Sequence, residues 1–245
     1  MTVTWLYRIF TCSRYTHTIN RDNLDDQRMT KSFSIEFEDL PQELSLFPLT
    51  GALLLPNGQL PLNIFEPRYL NMVLDALAGT RLIGMVQPLP AADTENPKLH
   101  RTGCAGRIIS FSETRDGRLL IVLGGVSRFD IVSDLDVQRG YRSAHVCWDR
   151  FVHDTELEDI QLEKEQLLES VKAYLAHQKL SVEWKSLEVL DIPELVDTLA
   201  CSLPFSSREK QGLLEAAVVE DRYHLVKALC EFGAGASGDA GARAH

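Results

Sequence analysis

The strongest constraint on the fold is a stretch in which every apolar run is short and is closed by proline or glycine. The runs are Leu44 to Leu49, Ala52 to Leu55 and Leu60 to Phe65. Apolar runs of this length between turn residues predict β-strands. Pro56-Asn57-Gly58 suits a tight turn, because proline presets one backbone angle and the next two residues tolerate a positive φ. The organised part of the chain is therefore predicted to begin with β-structure.

A helix is predicted directly after these strands. Pro67 can occupy its first position, where a missing N–H costs nothing, and Gly79 can cap its end. Four apolar residues recur at helical spacing, which predicts one buried stripe: Leu70, Val73, Leu74 and Leu77.

A second group of apolar runs predicts five more strands. Thr114 to Gly117 reads as a hairpin turn, and Gly124-Gly125 as a bulge or tight turn. Many short strands at this spacing indicate a barrel or sandwich rather than alternating strands and helices. The predicted strands are Leu82 to Gln87, Gly103 to Glu113, Arg118 to Leu123, Arg128 to Val137 and Tyr141 to Trp148.

The character of the chain changes to helical after Phe151. Two capping-box patterns, Thr155-x-x-Glu158 and Ser206-x-x-Glu209, mark helix starts. Further helices are predicted over Ile192 to Leu203 and from Asp221 to Phe232, with Gly233 as a cap. This half of the chain therefore predicts a helical bundle.

These elements predict an α+β protein with a β-rich part at 44–150 and a helical bundle at 151–232. Residues 1–43 are interpreted as a disordered extension and residues 233–245 as a flexible tail. Two readings remain open for the first 28 residues. Either Met29 is the physiological start, or these residues form a disordered arm.

The bulk composition narrows the function classes. The 245 residues carry a net charge of −10, which disfavours nucleic acid as a partner. No apolar run is long enough to span a bilayer and no secretory signal stands out, so we expect a cytoplasmic protein without a membrane partner. RNA binding stays open as an alternative because five arginines lie close in sequence: Arg101, Arg107, Arg115, Arg118 and Arg128.

Motifs that would carry catalysis are missing from the sequence. There is no Gly-Lys dipeptide, hence no phosphate-binding P-loop, and no G-x-S-x-G element. The five cysteines form no C-x-x-C pair. His145 and Cys147 are interpreted as a buried core pair, and His153-Asp154 as a helix cap. We expect no enzyme activity, no cofactor and no metal.

Three blocks of sequence resemble one known family. The first is Leu46-Phe47-Pro48-Leu49, Leu53 to Pro56, and Leu60 to Tyr69 with its Ile-Phe-Glu-Pro-Arg-Tyr run. The second is Gly106 to Ile109 with Gly124 to Phe129, and the third is Leu203-Pro204-Phe205 with Ser206 to Leu214. Together they are similar to the N-terminal, substrate-recognition domain of Lon proteases.

The resemblance implies a PUA-like β pseudo-barrel followed by a helical bundle, without the ATPase and peptidase domains of a Lon protease. It implies a non-catalytic module that binds polypeptide segments, or a protease or chaperone partner, in protein quality control. RNA binding and homo-oligomerisation are the alternatives. The candidate peptide-binding residues are Asn57, Phe65, Arg68, Arg107 and Arg128. Phe65 is expected to be buried.

Overall fold

A computed structural model describes residues 36–90, 97–137, 139–155 and 162–235. The predicted arm at 1–28 and the capping box at Thr155-x-x-Glu158 lie outside the fully described residues. Within these ranges six strands form a mixed sheet: β1 (Glu43–Pro48), β2 (Gln59–Ile64), β3 (Leu82–Val86), β4 (Thr102–Glu113), β5 (Leu119–Asp134) and β6 (Arg142–Cys147).

In the described part of the chain six α-helices accompany the sheet, one between β2 and β3 and five after β6. They are α1 (Pro67–Ala78), α2 (Lys164–Gln178), α3 (Trp184–Glu188), α4 (Ile192–Ser202), α5 (Ser207–Glu215) and α6 (Val219–Gly235). A 3-10 segment, Asp149–Thr155, connects β6 to the helical part. No helix in the described part of the chain is both long enough and apolar enough to cross a membrane.

The sheet closes on itself because β5 is long enough to have different neighbours at its two ends. The strand order is β2-β5-β4-β3-β1-β6, and β6 pairs back onto the C-terminal part of β5. β1 and β3 run parallel, whereas every other pair is antiparallel. Five strands therefore form a barrel, and β2 extends the sheet beyond it along the N-terminal half of β5.

The barrel interior is apolar and is built around one aromatic ring. Phe129 is fully buried there and meets Trp148 edge-on, with ring centroids 5.7 Å apart. A Cβ at Gly84 or Gly103 would lie within 2.8 Å of the Phe129 ring. These two glycines thus supply the space that the phenyl ring fills.

A second and larger core joins the outside of the barrel to the bundle. Leu54 and Leu55, Met72 of α1, Val171 of α2 and Leu195 of α4 all belong to it. Because one apolar cluster runs from β2 and α1 into the helices, the two halves share a core and pack as one unit.

The predicted α+β architecture and element order are confirmed, with local corrections. Residues 52–55 are irregular and not a strand, although Leu53, Leu54 and Leu55 are buried. The two strands predicted over 118–137 are one strand, β5, bent by a register shift. The buried side of α1 is formed by Met72, Val73 and Ala76, and Leu74 is exposed.

The described parts of the predicted extension and tail, residues 36–43 and 233–235, belong to the folded structure. Leu40 packs into the barrel core, and the Trp148 indole N–H donates to the Pro41 carbonyl at 3.0 Å, so residues 36–43 are not a disordered extension. At the other end α6 continues through Gly233 to Gly235. A Cβ at Gly233 would meet the Tyr174 ring at 2.6 Å, so this glycine serves helix packing and not a cap.

Candidate functional site

Arg128 of β5 lies at the junction between barrel and bundle and is only 1% exposed. Its Nε and Nη2 donate to the two carboxylate oxygens of Asp154 at 2.8 and 2.6 Å. The remaining donors reach the carbonyl oxygens of Leu214 in the last turn of α5 and of Ala216 and Ala217 just after it. The guanidinium also lies 4.3 Å from the centre of the Phe151 ring.

Because of this geometry, Arg128 is no longer a candidate for binding a peptide. Every N–H group of its guanidinium faces a protein acceptor, which leaves none for a ligand. Asp154 was expected to cap a helix. Its carboxylate instead forms an ion pair with the buried Arg128 and neutralises its charge.

A second buried ion pair lies beside the first. The Asp197 carboxylate of α4 accepts from Arg222 Nε of α6 at 3.0 Å, and both side chains are at most 2% exposed. Asn57 donates to the same carboxylate through its side-chain amide at 3.1 Å and its backbone N–H at 3.4 Å. Burial raises the pKa of Asp197, and the Arg222 charge and the Asn57 hydrogen bonds oppose that rise.

Asn57 therefore joins the barrel turn to the bundle through these hydrogen bonds, although the residue itself stays exposed. The two arginines also share an acceptor, because Arg128 and Arg222 both donate to the Ala216 carbonyl. α5 adds two buried polar contacts to the barrel, from Lys210 to the Gly51 carbonyl and from Gln211 to the Thr102 carbonyl. No buried side-chain polar atom in the described ranges is left without a hydrogen bond.

Phe65 has the opposite environment, since 62% of it is exposed. The expectation that it is buried was wrong, because β2 alternates and Phe65 continues the exposed row of Gln59, Pro61 and Asn63. In the sheet register Asn63 lies opposite Leu120 and Pro61 opposite Val122 of β5. We call these residues, Pro61, Asn63, Phe65, Leu120 and Val122, the outer face.

Arg68 lies three residues after Phe65, at the start of α1. It forms an exposed ion pair with Glu66 at 2.8 Å and stacks 4.6 Å from the centre of the Tyr69 ring. Next to it is a cavity of about 200 Å³ that Tyr69, Tyr141 and Arg142 help to line. Burial raises the pKa of both tyrosines, so their phenols stay protonated at neutral pH.

Arg107 is half-buried on β4, opposite Leu82 of β3 and Gly124 of β5. Phe65 and Arg68 thus lie three residues apart where β2 gives way to α1, whereas Arg107 lies on β4. The five arginines of the RNA alternative also do not form one patch, because Arg128 is buried and Arg118 pairs with Asp116 at 2.8 Å.

The His145–Cys147 pair is not part of the core, contrary to expectation. His145 is exposed on β6, 3.7 Å from the Glu43 carboxylate, and Cys147 is half-buried. The described residues hold no group of three or more His, Cys, Asp and Glu side chains that could bind a metal ion.

A closed barrel locked to a helical bundle, with apolar side chains left on an open face, defines an α+β domain. Residues 43–229 match the family model of the ATP-dependent protease La (LON) substrate-binding domain. Since this match spans most of the chain, the protein belongs to that family.

The chain is similar to Lon proteases along one part of their length. It is 23% identical over 199 residues to Lon protease of Dictyoglomus thermophilum, an alignment that covers 78% of this chain and 25% of that protein. It is 27% identical over 205 residues to Lon protease 2 of Myxococcus xanthus, covering 80% and 24%. The chain thus spans about a quarter of the curated relatives that it matches.

Solved structures give the same result. A Lon N-terminal domain protein from Xanthomonas campestris superposes with a TM-score of 0.55 at 25% identity, over 77% of this chain and 98% of that one. The N-terminal domain of a Mycobacterium avium complex Lon protease superposes with a TM-score of 0.54 at 16% identity, over 77% and 97%, which supports the fold alone.

Proposed function

We propose that this protein is a non-catalytic module that binds polypeptide segments through the outer face. The observation that carries the proposal is the exposure of Phe65 beside Leu120, two large apolar side chains on a sheet whose other face is buried. Exposed apolar surface of this kind costs free energy in water and is typical of interaction sites.

The junction supports this function by holding the outer face in place. β2 and β5 carry the outer face, and β5 is anchored by Arg128, whose contacts reach Asp154 and the residues after α5. A preorganised surface loses less conformational entropy on binding than a mobile one does. We propose unfolded or extended client segments, or a protease or chaperone partner, as the polypeptides bound in quality control in the cytoplasm.

Fluorescence anisotropy with labelled casein, used as an unfolded polypeptide, tests the proposal. We expect Phe65→Ala combined with Leu120→Ala to weaken casein binding at least ten-fold. Phe232→Ala is the matched control, because Phe232 is 76% exposed but lies on α6. Equal binding by the folded double variant and the wild type, or no binding by the wild type, would contradict the proposal.

A further inference from the structure

Within the described part of the chain, residues 109–113 of β4 pair with a neighbouring strand on one side and have an unpaired edge on the other. β4 pairs with β3 only through residues 104–107, whereas its pairing with β5 continues to Glu113. All five residues from Ile109 to Glu113 are exposed. Among the residues that the structure describes, no strand pairs with the far side of this segment.

The turn that joins β4 to β5 determines which backbone groups of β4 point away from β5. Thr114 N–H donates to the Arg118 carbonyl at 2.9 Å, so Thr114 faces β5. Because antiparallel strands alternate, Ser112 and Ser110 also face β5, opposite Leu120 and Val122. The N–H and C=O groups of Phe111 and Glu113 therefore point outward, and they form a row of two donors and two acceptors.

The other free edge of the sheet is interrupted. Gly125 N–H donates to the Gly58 carbonyl at 2.9 Å, which directs Leu60, Leu62 and Ile64 toward β5 and the alternate residues outward. Pro61 is the middle outward residue and has no N–H to donate. Proline in this position is a common protection of an edge strand, and residues 109–113 contain none.

We propose that the edge at residues 109–113 binds an extended polypeptide segment, which adds to the sheet as an antiparallel strand beside β4. The inference rests on the proposed function and supplies its binding mode. A row of outward donors and acceptors is complementary to extended backbone, and main-chain hydrogen bonds of this kind give affinity without strict sequence specificity. Phe111, which is 57% exposed, offers an apolar contact to a side chain of the added strand.

Removal of one outward N–H tests the binding mode. Glu113→Pro deletes an edge donor that β5 does not use, and we expect it to weaken casein binding at least five-fold. Glu113→Ala keeps the N–H and should bind within two-fold of the wild type. Gln59→Pro deletes an outward N–H from the edge that Pro61 already interrupts, at a residue outside the outer face, and it should also bind like the wild type.

Hydrogen exchange on the unaltered protein gives a second test that no folding defect can obscure. We expect casein to slow exchange of the Phe111 and Glu113 amides at least ten-fold and to leave the Gln59 amide unchanged. Unchanged exchange at Phe111 and Glu113 would overturn the binding mode.

The outcomes separate the two proposals. If the wild type does not bind casein, the proposed function and its binding mode both fail. If the double change at Phe65 and Leu120 weakens binding but Glu113→Pro does not, only the edge is excluded. If the wild type is a dimer that Glu113→Pro converts to a monomer, the edge belongs to a second copy of this chain and the inference is overturned.

Discussion

The junction and the outer face each hold side chains in the environment opposite to their usual one. At the junction two arginines are at most 2% exposed and are paired with buried carboxylates, whereas on the outer face Phe65 and Leu120 meet water. A buried charge that loses its partner is expensive, and an exposed apolar side chain that is removed changes folding little. The comparison indicates that stability is concentrated at the junction and that the outer face is free to serve binding.

The largest expected effect is at Arg128. Arg128→Met leaves the Asp154 carboxylate buried without its partner, and we expect the free energy of unfolding to fall by about 3–5 kcal/mol. Arg118→Met is the matched control, because its pair with Asp116 is exposed to water and should contribute little to stability. Urea denaturation of both variants measures the difference, and equal losses would remove the contrast between buried and exposed arginines.

Two neighbouring glycines give the next largest effect. A Cβ at Gly125 would lie 1.9 Å from the Leu55 carbonyl oxygen, so Gly125→Ala should cost about 3 kcal/mol by forcing the 52–58 segment off the sheet. At Gly124 the nearest atom is 3.2 Å away on the flexible Ile109 side chain, and Gly124→Ala should be nearly neutral. Thermal melting compares the two, and similar melting temperatures would contradict the close approach.

Buried thiols near the junction predict a dependence on alkaline pH. Burial raises the pKa of Cys201 to about 12, above the value of about 8.5 for an unfolded thiol. The folded state therefore keeps a proton that the unfolded state loses, and stability falls as pH rises from about 9 to 12. At pH 10 we expect a loss of about 2 kcal/mol relative to pH 7 from this group.

Urea denaturation of wild type and Cys201→Ala at the two pH values isolates that contribution. The loss between pH 7 and pH 10 should be smaller in Cys201→Ala by the amount that the thiol contributes. Equal losses in the two proteins would show that the Cys201 thiol does not titrate differently on folding.

The smallest effect on stability is expected at Phe65 itself. Phe65→Ala should change the free energy of unfolding by no more than about 0.5 kcal/mol, because the side chain is already largely in water. Leu54→Ala, at a fully buried position, should cost about 2–5 kcal/mol in the same urea titration. A large loss at Phe65 would place it in the core and remove it from the outer face.

Local patterns predicted the elements well where the signal lies in neighbouring residues. Pro67 and Gly79 bound α1 as expected, the Ser206–Glu209 capping box forms, and Gly117 turns the hairpin with a φ of 78°. Each of these depends on contacts within a few residues, which is why the sequence carries them. The order of strands before helices follows from the same signals.

Which candidate site residues are buried and which are exposed depends on long-range contacts, and the sequence alone does not show these contacts. Arg118 and Arg128 look alike in the chain, but only Arg128 is buried, because its partners lie 26 to 89 residues away at Asp154 and Ala217. The Ile-Phe-Glu-Pro-Arg-Tyr run showed the family through its residue types, yet it did not show that Phe65 faces water. Burial depends on which surfaces meet after folding, and only the tertiary structure supplies that.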